Sequence, residues 1–143
     1  MVIDRAKKTD LDEVVAIDHE VIGSESRREY IAKAIADKRC LVAKAGNSIA
    51  GYLIYNTSFF GHSFISLLIV KSSERRKGYA TALLNHFLAN SPTEKVFSST
   101  NLSNKPMQEV FKVNGWVPSG FIENLDDGDP ELIYFKPASS QQS

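Results

Sequence analysis

Three cations and a glycine, Arg75-Arg76-Lys77-Gly78, lead into Tyr79-Ala80-Thr81 where the apolar run Phe64–Val70 gives way to a helical pattern. The first turn of a helix carries backbone N–H groups with no intrahelical partner, together with the positive end of the helix dipole. An anion is held well there. Gly78 has no Cβ, so a bulky anion can come close to the main chain. A pyrophosphate is the ligand this chemistry suggests. An exposed helix start without a ligand is the plainer alternative, and the glycine, the alanine after it and the buried strand before it argue against that. The histidines, His19, His62 and His86, are scattered, and no cysteine–histidine cluster has metal-ligand spacing, so no metal is expected.

The elements that must position this segment follow from periodicity. Met1–Ala6 reads as a first strand. Thr9 reads as a helix N-cap, with Leu11, Val14, Val15 and Ile22 at helical spacing and Asp18 interrupting the stripe. Ser26-Arg27-Arg28-Glu29 reads as a capping box ahead of Tyr30, Ile31, Ala34 and Ile35. Two consecutive helices are therefore expected, over about 10–22 and 27–38. Arg27 and Arg28 are expected on a solvated face with Glu25 and Glu29. Cys40–Ala45 and Ser48–Ser58 flank Gly46-Asn47 and predict a hairpin. Gly61 and His62 mark the next turn. The nearly continuous apolar run Phe64–Val70 predicts a central strand covered on both faces. The following helix ends before Pro92. Lys95–Thr100 predicts a strand, Asn104–Asn114 a helix stopped by Gly115, and Trp116–Glu123 and Glu131–Lys136 two last strands. The strand–helix–strand crossover predicts one parallel pair, and the other pairs are expected antiparallel. The fold class is α+β with a layered α/β character. It comprises a mixed, mostly antiparallel central sheet of about seven strands with helices on both faces.

Composition limits the function classes. The chain of 143 residues suggests one domain, over 1–137, with a polar tail at 138–143 expected to be disordered. Lys+Arg and Asp+Glu are balanced at 17 each, so a non-specific nucleic-acid binder is not expected. Cys40 is the one cysteine; it reads as a small buried hydrophobe and suits a reducing, cytoplasmic compartment. Residues 1–5 lack a long apolar stretch, and no run approaches the ~20 residues of a membrane-spanning helix, so neither secretion nor a membrane partner is expected. A nucleotide-phosphate enzyme is disfavoured because Gly-x-x-x-x-Gly-Lys-Ser/Thr is absent.

The element order β-α-α-β-β-β-α-β-α-β-β, with Arg75-x-x-Gly78-x-Ala80 after a central strand, resembles the GNAT superfamily of acetyl-coenzyme A-dependent N-acetyltransferases. A second segment agrees: Asn104-x-x-Met107-x-x-Val110-Phe111 followed by Gly115-Trp116 is similar to that family's Asn…Gly-Phe helix. The resemblance covers residues 2 to about 136. It implies acetyl-CoA as co-substrate, with the pyrophosphate on the amides of residues 76–81 beside Arg75, Arg76 and Lys77. It further implies main-chain bonds from Leu68, Ile69 and Val70 to the pantetheine arm, an oxyanion contact from the Val70 N–H, and Asn104 and Phe111 against the cofactor. Phe111 stands where many members carry tyrosine, so the hydroxyl taken to protonate the departing thiolate is missing at that position.

The implied reaction is direct attack of an amine on the thioester. The amine belongs to a small molecule, a peptide N-terminus or a lysine. One main-chain oxyanion donor contributes about 3 kcal/mol. His62 is a candidate general base. Glu20, Glu25, Glu123 and Tyr55 are further candidates near the expected cleft, with Glu25 and Tyr55 also placed as substrate contacts; a water chain serves equally well. Phe59, Phe60, Tyr52 and Tyr55 are candidates to wall the cleft, and strand alternation allows at most one of the two tyrosines to face it. The acidic stretch Asp126-Asp127-Gly128-Asp129 steers a cationic amine or else serves its own turn. Trp116 reads as core or interface. Phe121, Tyr134 and Phe135 sit on late strands that often form dimer contacts in the family, implying a homodimer. A non-catalytic acyl-CoA-binding sensor is the alternative function, motivated by Phe111.

Overall fold

The computed structural model describes residues 1–139. The elements are β1 (Val2–Arg5), a 3₁₀ turn (Lys8–Asp10), α1 (Leu11–Ile22), α2 (Arg28–Ala36), β2 (Cys40–Ala45), β3 (Ser48–Phe59), β4 (His62–Val70), a 3₁₀ turn (Ser72–Glu74), α3 (Tyr79–Asn90), β5 (Lys95–Asn101), α4 (Lys105–Val113), β6 (Val117–Ile122) and β7 (Glu131–Pro137). The mixed seven-stranded sheet has the order β1-β2-β3-β4-β5-β7-β6. β4 and β5 are parallel, with Phe64 opposite Phe97, as the crossover predicts. β1 with β2, β2 with β3, β5 with β7 and β6 with β7 are antiparallel.

The chain forms two compact units. One comprises Met1–Tyr55 and Leu67–His86; the other comprises Asn56–Ser66 and the chain from Phe87 onward. In the first unit, Val14, Val15 and Ile17 of α1 and Ile31, Ala34 and Ile35 of α2 bury against Cys40, Val42, Ile49, Tyr52 and Ile54, with Leu67 and Ile69 packed on this cluster. The helix starts differ from expectation. Thr9 lies inside the 3₁₀ turn, and the cap bond there is Lys7 N–H to Asp10 Oδ2 at 2.8 Å. Ser26 does not cap α2: its N–H turns to Ser24 Oγ (3.4 Å), and Arg27 occupies the N-cap without a side-chain cap bond. The same arginine is drawn to Asp18, which is 1% exposed, so Arg27 is not on a solvated face and Asp18 belongs to the core. Arg28 does pair outward, with Asp12 and Glu25. α2 ends at Ala36 because Lys38 adopts φ 63° and the Arg39 N–H returns to the Ala34 carbonyl (2.8 Å).

β4 begins at His62 rather than after it, because the tight turn is made by Phe60 (φ 53°) and Gly61 (φ 81°). β4 is not covered throughout. Ser63 and Ile65 are buried, whereas Leu67, Leu68, Ile69 and Val70 are half-buried. Its end is approached closely by β3. A Cβ on Gly51 would lie 2.9 Å from the Ile69 carbonyl oxygen, so only glycine allows this approach without a shift.

In the second unit, Phe111 of α4 stacks on Tyr134 of β7 (centroids 4.5 Å, 17°) and meets Trp116 edge-on (5.3 Å, 61°). Trp116 is thus core. Phe64, Phe97 and Phe135 stand in register across β4, β5 and β7. The residues of β6 are exposed. Ala138 and Ser139, expected in a disordered tail, donate their N–H groups to the Glu94 (2.8 Å) and Leu88 (3.0 Å) carbonyls; the remainder of that tail lies outside the described residues.

Candidate active site

Within the first unit, β4 runs into the Ser72–Glu74 turn and then into Arg75-Arg76-Lys77-Gly78 before α3. Arg75 is extended (φ −71°, ψ 156°), whereas Arg76 (φ 63°) and Gly78 (φ 87°) are left-handed. Left-handed residues within a turn point main-chain N–H groups toward a common side, the geometry of an anion nest. Arg76 adopts this region without being glycine, an uncommon and costly state that concentrates at functional sites. The Ala82 N–H donates to the Gly78 carbonyl (3.0 Å), so the Tyr79 and Ala80 amides precede the first helical bond. A Cβ built on Gly78 meets nothing within 4 Å. The turn therefore leaves its main chain open to a ligand at Gly78, and left-handed backbone, free space and neighbouring cations fit a diphosphate.

Two of the three cations are engaged by neighbouring groups. The Arg75 Nε–H donates to the Val70 carbonyl (3.3 Å), folding the guanidinium back over the end of β4. Lys77 Nζ donates to Glu74 Oε2 (2.7 Å), and this bond raises the lysine's pKa. Leu68, Ile69 and Val70 supply the half-buried strand end beside them. The Lys71 N–H donates to the Ala50 carbonyl (2.7 Å), fixing the chain as it leaves the strand. Both carboxylate oxygens of Glu20 accept from Ser72, from its N–H (3.2 Å) and from its Oγ (3.3 Å).

The other expected first-unit residues lie in separate settings. Glu25 is exposed and accepts from Arg28 Nη1 (3.3 Å). Tyr55 is half-buried, and its carbonyl accepts from Arg39 Nη1 (2.7 Å). Tyr52 points into the core, where its hydroxyl donates to Asp18 Oδ1 (2.7 Å); burial, then this bond, push its pKa far above 10.0. Asp18 also takes Arg27 Nε (3.0 Å) and Nη2 (2.5 Å), which raises the arginine's pKa. The Asp18–Arg27–Tyr52 network and the Glu20–Ser72 contact were missed by sequence reasoning. The signal for the first was an acid on an apolar stripe with an arginine soon after the helix; the second had none.

His62, Asn104, Phe111 and Glu123 belong to the second unit. The His62 ring lies 5.9 Å from that of Phe97. Asn104 is the N-cap of α4, its Oδ1 accepting from the Met107 N–H (3.2 Å). Phe111 is 1% exposed, a core ring. Glu123 lines a polar pocket of about 200 Å³ with Asn124, Asp126, Asp127 and Asp129. Two of these acids serve the local fold. Asp126 accepts from Asn101 Nδ2 (3.0 Å), and Asp129 accepts from the Ser103 N–H (2.9 Å) and Oγ (2.6 Å). Among the described residues, no group of three or more His, Cys, Asp or Glu side chains is arranged to hold a metal ion.

Residues 8–116 match the acetyltransferase (GNAT) family. A GNAT-family acetyltransferase from Bacillus cereus ATCC 10987 is 50% identical, over 97% of this chain and 98% of its own, with a TM-score of 0.95. Two more distant structures share the fold. The ribosomal-protein-S18-alanine N-acetyltransferase of Escherichia coli is 15% identical over 99% of this chain and 96% of its own (TM-score 0.83). An aminoglycoside 6′-N-acetyltransferase complexed with coenzyme A is 14% identical over 100% of both chains (TM-score 0.83). No curated protein matches the sequence. The chain belongs to the acetyltransferase (GNAT) family.

Proposed function

We propose that this chain moves the acetyl group of acetyl-CoA directly to a primary amine of a small molecule, peptide or protein. The observation that carries this reading is the open left-handed turn at Arg76–Gly78 ahead of α3. It offers amides and cations to a diphosphate, as in the family to which the chain belongs. Bound acetyl-CoA supplies the thioester. The Val70 N–H donates to the carbonyl oxygen as negative charge develops there, and Leu68 and Ile69 hold the pantetheine arm along the strand. The substrate ammonium first gives up one proton. The neutral amine nitrogen then bonds to the acetyl carbon, the carbon–sulfur bond breaks with coenzyme A leaving as the thiolate, and the nitrogen loses its second proton to give the amide. The protons pass to water: His62, the base candidate, opens β4 eight residues before Val70, about 26 Å of strand away, too far to take them directly. Asn104 completes the cofactor contacts, and Glu25 and Tyr55 are the proposed acceptor contacts.

The acceptor is proposed at the level of chemical class. The neighbours named above act on an aminoglycoside and on a ribosomal-protein alanine, so the shared fold serves amines of different size. The exposed Val117, Phe121 and Ile122 of β6 support a homodimer, and the lone buried Cys40 supports a cytoplasmic setting.

A second reading has its own observation. Phe111 is buried and lacks a hydroxyl, which suits an acyl-CoA sensor without turnover. One experiment separates the two: release of free thiol from acetyl-CoA across a broad panel of amines. Saturable release with one amine supports transfer, and tight coenzyme binding with no release on any amine supports the sensor.

A further inference from the structure

The anion turn is held by a residue outside it. Glu20 lies in the last turn of α1 and takes both of its hydrogen bonds from Ser72, the first residue of the 3₁₀ turn that separates β4 from Arg75-Arg76-Lys77-Gly78. The Glu74 N–H closes that turn on the Lys71 carbonyl (2.8 Å), and Lys71 is in turn bonded to Ala50 on β3 (2.7 Å). Segment 71–74 is thus fixed at two points, by β3 at Lys71 and by α1 at Ser72. The same helix has a second anchor. Glu13 Oε2 accepts the Ile49 N–H on β3 (2.7 Å). Seven residues are close to two helical turns, so Glu13 and Glu20 lie along one edge of α1. The helix braces the sheet at one end and the turn at the other.

Charge alone makes Glu20 an unfavourable neighbour for an anion site, because a carboxylate repels phosphate. Any favourable effect on binding must therefore come through geometry. We propose that Glu20 is a positioning residue for the coenzyme: it sets the Ser72–Glu74 turn so that the amides of residues 76–80 are in place before the diphosphate arrives. The inference rests on the reading of that turn as the coenzyme site. A preformed turn lowers the ordering cost of binding, so the effect falls on coenzyme affinity and on KM for acetyl-CoA, not on kcat.

The test is calorimetry with acetyl-CoA on the full chain and its Glu20→Ala, Glu20→Gln and Gly78→Glu variants, together with steady-state kinetics on an amine that the wild type acetylates. Glu20→Ala is expected to raise the dissociation constant and KM about three- to ten-fold, the usual effect of losing hydrogen bonds to a charged acceptor at an exposed site, with kcat changed by less than about twofold. Glu20→Gln keeps an acceptor for Ser72 and sheds the charge, so it should bind within about twofold of wild type, or tighter. Three results overturn the proposal: Glu20→Ala binding as tightly as wild type or more so, Glu20→Gln losing as much as Glu20→Ala, or the loss falling on kcat. Failure of the coenzyme-site reading looks different: wild type does not bind acetyl-CoA, or Gly78→Glu binds it unchanged, in proteins whose Glu20 is intact.

Discussion

Asp18 Oδ1 accepts a hydrogen bond from Tyr52 Oη at 2.7 Å inside a core from which both residues exclude water. The same carboxylate holds Arg27, so α1, β3 and the start of α2 meet at one buried acid. A buried carboxylate is tolerable only while its partners remain.

Removing the acid should therefore cost more than removing the phenol. Asp18→Ala leaves a guanidinium and a hydroxyl without their acceptor, and breaking a buried pair costs about 3–5 kcal/mol. Arg27 is 32% exposed and can turn to water, which places the expected loss at or below the lower end of that range. Tyr52→Phe removes one neutral donor from a carboxylate that keeps Arg27, an expected loss of about 1–2 kcal/mol. The double variant should lose less than the sum of the two, because the residues share one network. Urea midpoints with unchanged slopes check all three.

Alkaline pH should destabilise the fold in two steps. Burial pushes the Cys40 thiol up from 9.0 to about 12, and burial pushes Tyr52 up from 10.0. Both groups are neutral when protonated, and both hold the proton more tightly in the folded state. Their contribution is whole below the unfolded pKa and is lost as pH rises toward the folded one. Stability should thus fall from about pH 9 through Cys40, by up to ~1.4 kcal/mol per pH unit, and more steeply above about pH 10 when Tyr52 joins. Cys40→Ala should remove the first step and leave the second. Unfolding free energies between pH 8 and about 11 test this; an unchanged slope in Cys40→Ala between pH 9 and 10 contradicts it.

What the sequence revealed and what it hid divide along the range of the interactions. Gly78 and its cations are contiguous, so their chemistry is legible as a string, and the strand before them carries its own apolar signature. The Gly46-Asn47 hairpin and the Gly115 stop are equally local. Gly51 reads as an ordinary strand glycine until β4 is beside it. Asp18 looks like a flaw in an apolar stripe until Arg27 and Tyr52 are placed on it. Ser26 fits a capping box, but its N–H bonds Ser24, and Arg27, held by Asp18, stands at the N-cap of α2 instead. Each miss is a contact made in space between residues whose local pattern is neutral or misleading.

Gly78 tests the anion turn directly. Its φ of 87° strains any L-residue, while the space beyond its Cα is open. Gly78→Ala should therefore cost about 1–2 kcal/mol of stability through backbone conformation and leave measurable acetyl-CoA binding. Gly78→Glu should carry the same backbone cost and place a carboxylate where the diphosphate is expected, abolishing binding at coenzyme concentrations that saturate wild type. Calorimetry beside thermal melts separates the two effects. Equal affinity in the alanine and glutamate variants would remove the diphosphate from this turn.

Restoring the missing hydroxyl at Phe111 asks how far turnover depends on it. The ring is 1% exposed, parallel to Tyr134 and edge-on to Trp116, so a hydroxyl there must enter a packed site. Burying it without a partner costs about 1–3 kcal/mol. Trp116 Nε1, a buried donor with no partner among the described residues, is the neighbouring group that could reduce this if the added oxygen reaches it. Phe111→Tyr should thus lower stability by about 1–2 kcal/mol or less and leave acetyl-CoA affinity within about twofold. The effect on turnover should be smaller than the 10²–10⁴ that a general acid can contribute. A thiol with a pKa near 8.5 leaves tolerably as thiolate at neutral pH, so the step has limited need of a donor. A turnover change within about tenfold, with KM for acetyl-CoA unmoved, is expected in steady-state assays; complete loss of coenzyme binding would mean that α4 does not carry the helix assigned to it.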